Sequence, residues 1–398
     1  MDKGIHETKS QRYKIMFVFD SRFAEWKGTQ RFFYEFGSYL VEKGCRVELI
    51  ENNIGFNESP IPLNIDIPFD IISFKFHKIF SIYHLPKKII QKYDPDVIYV
   101  NSFTTFPLIP MSNFRTIYGM HIIHVSSLKY MKRIERLKFN IKRALFILIV
   151  RLFWRKKDVA IHALNTEQLD WINGVTKNRF PVWVIGNPVE CQIDQNIEHI
   201  RNMGKNEKFT ILFFGSLSWM KGFSEFLRIL DFVEQTGVNE KISFIIAGDG
   251  TLIKEAILRT EKFENVKFVR RPDDSKKREI MLNADLFVFP SMFENSSITA
   301  VEAQASGLPC LFSDITPLRN LLIYGKTGYS IPLEGDFEKR YFEKIEQYLD
   351  LWLTDYDKYR NLRMDISGAT KRLCKENVLP KLLDMVESFI NDRDRRED

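Results

Sequence analysis

The sequence predicts an α/β protein built from two doubly wound, Rossmann-like domains. Three observations carry that expectation. At 398 residues the chain is longer than one hydrophobic core usually fills. Short β-rich apolar runs alternate with helical stretches in both halves, the pattern of parallel strands joined by crossover helices. A polar segment of weak periodicity, 189–208, separates the two series and is expected to be a linker.

In the first half, Tyr13 to Phe19 reads as a strand, Gln30 to Lys43 as the helix behind it and Arg46 to Ile50 as the second strand, one βαβ unit. Further strands are expected at Asp96 to Asn101, Phe114 to Met120, Val159 to Leu164 and Val182 to Ile185. After the linker come strands at Phe209 to Phe214, Ile242 to Ala247, Val266 to Val269, Leu286 to Phe289, Cys310 to Ser313 and Gly328 to Ile331. The expected division is 1–188, the linker, 209–372, and a last segment, 373–398. In open α/β domains ligands collect beyond the carboxyl ends of the strands, so two such domains facing each other would form a cleft.

The most informative stretch runs from Pro290 to Pro309, where Glu294 and Glu302 stand eight positions apart. Glu294 follows an apolar strand-like run, and Glu302 is expected about two turns into a helix opened by Ser296 or Ser297. A strand end, a polar turn and a helix N-terminus offer free backbone N–H groups and a positive dipole end, which suit a phosphate. The two carboxylates can accept hydrogen bonds from sugar hydroxyls beside it. Taken singly, each glutamate is equally readable as an ordinary turn or solvated helix residue.

The surroundings resemble a known family. Glu294, seven residues, Glu302, then Ala303-Gln-Ala-Ser-Gly-Leu-Pro309, is similar to the signature of the retaining glycosyltransferases of family four, which have the two-domain GT-B fold. Upstream, Phe213-Phe-Gly-Ser-Leu-Ser-Trp-Met-Lys-Gly222 and Ile245-Ile-Ala-Gly-Asp-Gly250 resemble that family's glycine turn with its Lys-Gly element and its next glycine loop. The resemblance implies a C-terminal domain that holds a nucleotide sugar, a UDP-sugar being favoured, and an N-terminal domain that presents the acceptor. It also implies a final helix, Pro380 to Ile390, that returns to the N-terminal domain.

Site roles follow from the same resemblance. Lys221 contacts the donor diphosphate and stabilises the leaving group, Glu302 accepts from the ribose hydroxyls, and Glu294 lies near the transferred sugar. Gly215, Ser216, Gly248, Arg270, Asn295, Ser296 and Ser297 complete the donor side. Gly28 and Thr29, in the loop expected before the first helix, are the acceptor or phosphate loop, and His121 is the catalytic histidine, with His124 the runner-up. Two departures stand out. Ser216 occupies a position where the family usually has Arg, with Arg270 or Arg271 the candidates to compensate, and Asn295-Ser-Ser297 replaces frequent glycines. A GT-B sugar-nucleotide epimerase and a non-catalytic sugar-binding or regulatory protein remain alternatives. The residues from Glu302 to Asp314 resemble enzymes of surface polysaccharide or glycolipid assembly.

No cofactor or metal is implied, because Lys221 and helix N-termini can neutralise a diphosphate and Asp94-Pro-Asp96 reads as a turn. Four scattered cysteines suggest neither a disulfide framework nor a zinc site, and the cytoplasm is the expected compartment. The net charge of +6 is uneven: Ser127 to Asp158 carries eleven Lys or Arg against two acids, among many apolar residues. That segment, 129–157, reads as an amphipathic helix for an anionic membrane surface or as a packed helix with solvated charges. Nucleic acid is a poor fit, since no base-reading module accompanies the basic segment.

Overall fold

The computed structural model describes residues 12–19, 28–52, 67–74, 90–101, 114–121 and 159–394, with helical positions 136, 137, 140, 141, 144, 147, 148 and 150. These divide into two compact units, and the described residues of unit 2 are 189–377.

Unit 1 contains β1 (Lys14–Phe19), α1 (Gly28–Glu42), β2 (Arg46–Asn52), β3 (Asp70–Phe74), β4 (Val97–Asn101), β5 (Thr116–Gly119), β6 (Val159–Ala163), α2 (Thr166–Thr176) and β7 (Val182–Val184). All pairings are parallel, in the order β3-β2-β1-β4-β5-β6-β7. Strand alternation sorts the apolar side chains onto two faces. Ile15, Phe17, Val97, Tyr99 and Ile117 face one core with Phe32, Phe33, Phe36 and Leu40, the apolar stripe of α1. Met16, Val18, Ile98, Val100 and Tyr118 face the other, with Trp171, Ile172 and Val175 of α2. Burying each large side chain contributes about 1.5–3 kcal/mol. The N-terminus of α2 is capped by Asn165, whose side chain accepts from Gln168 N at 3.0 Å.

Unit 2 contains α3 (Ile193–Asn202), β8 (Phe209–Ser216), α4 (Phe223–Gln235), β9 (Ile242–Asp249), α5 (Ile253–Lys262), β10 (Val266–Arg270), α6 (Asp274–Asn283), β11 (Leu286–Phe289), α7 (Ile298–Ala305), β12 (Cys310–Ser313), α8 (Thr316–Arg319), β13 (Gly328–Ile331), α9 (Phe337–Thr354) and α10 (Tyr356–Thr370). Its strands are parallel, in the order β10-β9-β8-β11-β12-β13. The last helix, α11 (Lys375–Asp394), places Val378, Leu379, Leu382, Leu383, Met385, Val386, Phe389 and Ile390 in the α1-side core of unit 1. Arg115 of that unit donates to the Ile390 carbonyl at 2.8 Å.

Three expectations are corrected here. β3 went unrecognised because Asp70-Ile-Ile-Ser-Phe74 is short and is an edge strand. The segment 189–208 is not a bare linker. Its helix α3 buries Asn196 and Ile200, and Asn196 Nδ2 donates to Cys191 O at 2.8 Å and Ala305 O at 3.0 Å, anchoring it within unit 2. Finally, Cys191 and Cys374 form a disulfide across 183 residues. Nothing local announces the pair. A parallel bridge between Val189 and Cys374, with Lys375 N donating to Val189 O at 2.8 Å, brings the two cysteines together.

Candidate functional site

In unit 2 the strand order reverses between β8 and β11, which makes their carboxyl ends the topological switch point where ligands of open α/β sheets bind. Both candidate loops emerge there. After β8 a single 3-10 turn, Trp219–Lys221, ends at Gly222, and after β11 the chain runs from Pro290 through Glu294 to α7. Gly222 fuses the two loops. It has φ of 67°, and a Cβ added to it would stand 1.8 Å from the Pro290 carbonyl oxygen. Met292 N and Phe293 N both donate to Met220 O, at 2.9 and 3.2 Å.

This stitching brings Lys221 to Glu294. Lys221 Nζ donates to Glu294 Oε1 at 2.7 Å, the lysine side chain 31% exposed and the glutamate 6%. Ser291, fully buried, holds its hydroxyl 3.2 Å from Glu294 Oε1 and 3.1 Å from Met220 O. Ser313 at the end of β12 in turn donates to the Ser291 carbonyl. The result is a fixed carboxylate with one face on a cation that solvent can still reach.

Ser297, rather than Ser296, caps α7, its side chain accepting from Ala300 N at 3.3 Å. The helix begins at Ile298, so Glu302 lies little more than one turn in, not two. It is not a solvated residue. Lys277 Nζ of α6 donates to Glu302 Oε1 at 2.8 Å and also contacts Asp274 at 3.0 Å, with Lys277 and Glu302 side chains 13% and 11% exposed. Asn295 is buried in the turn between the two glutamates and Ser296 is half-buried. Ser291 and Lys277 were missed in the sequence. Ser291 was legible as the hydroxyl three residues before Glu294, whereas Lys277 lies on another helix with no local spacing to reveal it.

Gly215 and Gly248 are register partners at the ends of β8 and β9. A Cβ on Gly248 would stand 1.9 Å from the Gly215 carbonyl oxygen, so this glycine is required by backbone packing whether or not a ligand is bound. Ser216, exposed, is the last residue of β8. Arg270, mostly exposed, lies 3.6 Å from Asp249, and Arg271 pairs with the same carboxylate. Against a desolvation that acts upward, the Gly250 amide and these two guanidinium groups hold the Asp249 carboxyl below the usual range.

In unit 1, Gly28 and Thr29 are the first residues of α1 rather than part of a preceding loop. His121 follows the carboxyl end of β5 and is buried, its Nε2 3.0 Å from Tyr99 Oη. Burial, then the neighbouring His162, pushes its pKa well below the ordinary value, so it is neutral at pH 7. His124 lies outside the described residues. Asp94 has φ of 47° in the turn before β4, and Asp96 accepts from Lys14 N at 2.7 Å. Among the described residues no group of three or more His, Cys, Asp or Glu could hold a metal ion.

Solved structures place this architecture. The chain is similar to Anabaena HepE in complex with UDP and glucose (TM-score 0.66, 16% identity, 95% of this chain and 100% of that one). It is similar also to WaaG, a glycosyltransferase involved in lipopolysaccharide biosynthesis (TM-score 0.65, 17% identity, 93% and 99%). The fold is thus that of the GT-B glycosyltransferases, two parallel-sheet Rossmann-like α/β units. The family described as glycosyl transferases group 1 matches residues 195–396, and the chain belongs to that family. Among curated relatives, it is 25% identical over 242 residues to an uncharacterized 41.2 kDa protein in the cps region of Klebsiella pneumoniae, covering 59% of this chain and 62% of that protein. It is 26% identical over 162 residues to the capsular polysaccharide biosynthesis glycosyltransferase CapM of Staphylococcus aureus, covering 40% and 42%. The match therefore spans about three-fifths and two-fifths of these relatives' lengths.

Proposed function

We propose that this chain is a retaining hexosyltransferase that moves a sugar from a nucleoside-diphosphate donor, a UDP-sugar being favoured, to an acceptor hydroxyl in cell-surface polysaccharide or glycolipid assembly. The observation that carries the proposal is the Lys221–Glu294 pair at the switch point of unit 2, with Glu302 on the adjoining helix. Lys221 is half-exposed and its ammonium can turn from Glu294 to the donor diphosphate, where it offsets charge that grows as the bond to the sugar breaks. Glu294, held by Ser291, then accepts from hydroxyls of the transferred sugar. Glu302, oriented by Lys277, accepts from the ribose, and the N-terminus of α7 adds its dipole. In a front-face displacement the leaving phosphate takes the acceptor proton, so the residues position groups and balance charge. In unit 1, His121 and the start of α1 at Gly28 and Thr29 serve the acceptor side. The HepE structure containing UDP and glucose and the capsular relative support the choice of donor and pathway class.

The proposal extends to peripheral attachment at an anionic membrane carrying a lipid-linked or glycan acceptor. Among the described residues Leu137 and Ile141 are each 61% exposed and Leu148 53%. With exposed Ala144 between them they follow one helical face, within the basic segment 129–157. No described helix is long and apolar enough to cross a membrane.

The test is a thermal-shift screen over UDP, GDP and ADP sugars followed by incubation with the radiolabelled sugars that bind. At one hundred times its dissociation constant a ligand should add about 2.7 kcal/mol of stability. Transfer or slow hydrolysis supports the transferase, whereas an epimerised donor, or binding without turnover, refutes it.

A further inference from the structure

The Arg363 side chain of α10 is 1% exposed, and a buried guanidinium is costly unless its donors are used. Here they close the ends of two helices. Nη2 donates to Leu282 O of α6 at 2.8 Å and to Ser306 O at 3.3 Å, and Nε donates to Gly307 O at 3.3 Å, just past α7. Carbonyls at a helix C-terminus lack partners within the helix and stand at the negative end of its dipole, so one cation serves both ends. The buried Asp285 carboxylate, 3.8 Å from Nη1, balances the charge.

These two helices carry the pair described above, Lys277 on α6 and Glu302 on α7. Ser306 passes the tie straight to Glu302, its backbone N–H and its hydroxyl each donating to the Glu302 carbonyl at 3.0 Å. One turn along α10, Ser367 Oγ donates to Ala305 O at 2.6 Å. On the α6 side Arg278, the neighbour of Lys277, donates to Asn196 Oδ1 at 2.8 Å, and Asn196 also holds the Ala305 carbonyl. Gly307 lets the backbones of α7 and α10 meet: its φ is 76°, and a Cβ there would stand 2.7 Å from Arg363 O.

We infer that Arg363 and Ser367 are positioning residues for the proposed nucleotide site of unit 2, fixing the separation of α6 and α7 so that Lys277 holds the Glu302 carboxylate where ribose hydroxyls meet it. The inference rests on the proposal that Glu302 accepts from the ribose. It adds a source of specificity, since a carboxylate held at a fixed point rewards a ribose and gains nothing from a sugar without those hydroxyls. The planar guanidinium suits this task. Its donors point in fixed directions at carbonyls of two segments, and a lysine ammonium would keep the charge but not that span.

The test compares UDP with 2′,3′-dideoxy-UDP by calorimetric titration, with the GDP and ADP pairs run alongside. The wild-type chain should prefer the ribose form by about 10- to 150-fold, the equivalent of one charge-assisted hydrogen bond. Glu302→Ala should abolish that preference. Arg363→Lys should shrink it while leaving affinity for the dideoxy form unchanged, and Ser367→Ala should shift it in the same direction and replaces Arg363→Lys if that variant does not fold. An undiminished preference in the folded variant, or an equal loss of affinity for both nucleotides, overturns the inference. Urea unfolding of Lys277→Ala, Glu302→Ala and the double variant, in the wild-type and altered α10 backgrounds, measures the coupling of the pair without any nucleotide. That coupling should fall in the altered background, and an unchanged value overturns the inference as well. A wild-type chain that binds both nucleotides equally, or neither, would remove Glu302 from the ribose, and a coupling that still falls would leave the positioning of Lys277 and Glu302 by α10 standing.

Discussion

Gly222→Ala should separate the two loops that carry Lys221 and Glu294. Two costs add at this position. The left-handed backbone, φ 67°, is unfavourable for alanine by about 1 kcal/mol. The new methyl carbon would also lie 1.8 Å from the Pro290 carbonyl oxygen and 3.1 Å from Ser291 N. Backbone cannot swing aside as a flexible side chain does, so the loops must part, at about 1–3 kcal/mol for overpacking. Gly237 provides the control: its φ is 78° but nothing lies within 4 Å of the added carbon, so Gly237→Ala should show the backbone cost alone. Urea unfolding of both variants measures the difference, expected at about 1–3 kcal/mol. Calorimetric titration with UDP should show weaker binding to Gly222→Ala only. Equal losses of stability in the two variants would refute the steric contact, and unchanged UDP binding in a destabilised Gly222→Ala would show that the Gly222–Pro290 contact does not organise the donor site.

Lys221→Met should lower turnover by about 10- to 150-fold, the equivalent of one charge-assisted hydrogen bond of about 1.5–3 kcal/mol, with a smaller change in donor affinity. Steady-state kinetics at the wild-type rate would dismiss the leaving-group role. Acid should weaken unit 1: His162 titrates at about 4 when folded and near 6.5 when unfolded, so the unfolded chain binds the proton first. Its contribution is complete above about pH 6.5 and is lost as pH falls towards 4, by roughly 2–4 kcal/mol, with His121 acting in the same direction. Urea midpoints across that range should fall less steeply in His162→Gln, and parallel profiles would exclude the histidine as the cause. Sedimentation with anionic vesicles should rise with anionic lipid, fall with salt, and weaken when Leu137, Ile141 and Leu148 are changed to Ser; equal recovery in the supernatant with and without vesicles would count against membrane attachment.

Most strands were legible because a strand buried on both faces is a short apolar run, and β11, β12 and β13 fall at the expected residues. The Glu294 and Glu302 stretch was legible for a related reason, since strand end, turn and helix cap are consecutive in sequence. What could not be read is carried by long-range contacts. Lys277 reaches Glu302 from another helix, and Cys191 meets Cys374 across the whole of unit 2. The burial of His121 was equally hidden, because Tyr99 and His162 lie on different strands and only the sheet makes them neighbours. Helix α3 was obscured by composition: two buried positions sufficed to anchor it in a polar sequence.

The return of α11 to unit 1 has a consequence for how the chain is made. Synthesis proceeds from the N-terminus, and N-terminal domains generally fold first as they emerge. Here the α1 face of the first sheet takes eight buried apolar side chains, Val378 to Ile390, from the far end of the sequence. All of unit 2 must be translated before they appear. Until then Phe32, Phe33, Phe36 and Leu40 belong to a core that lacks one of its walls, while the residues of unit 2 up to Asn377 are already complete. The unit that begins first therefore finishes last, and a nascent chain halted near residue 377 would hold a finished unit 2 and, in unit 1, an apolar face still waiting for its cover.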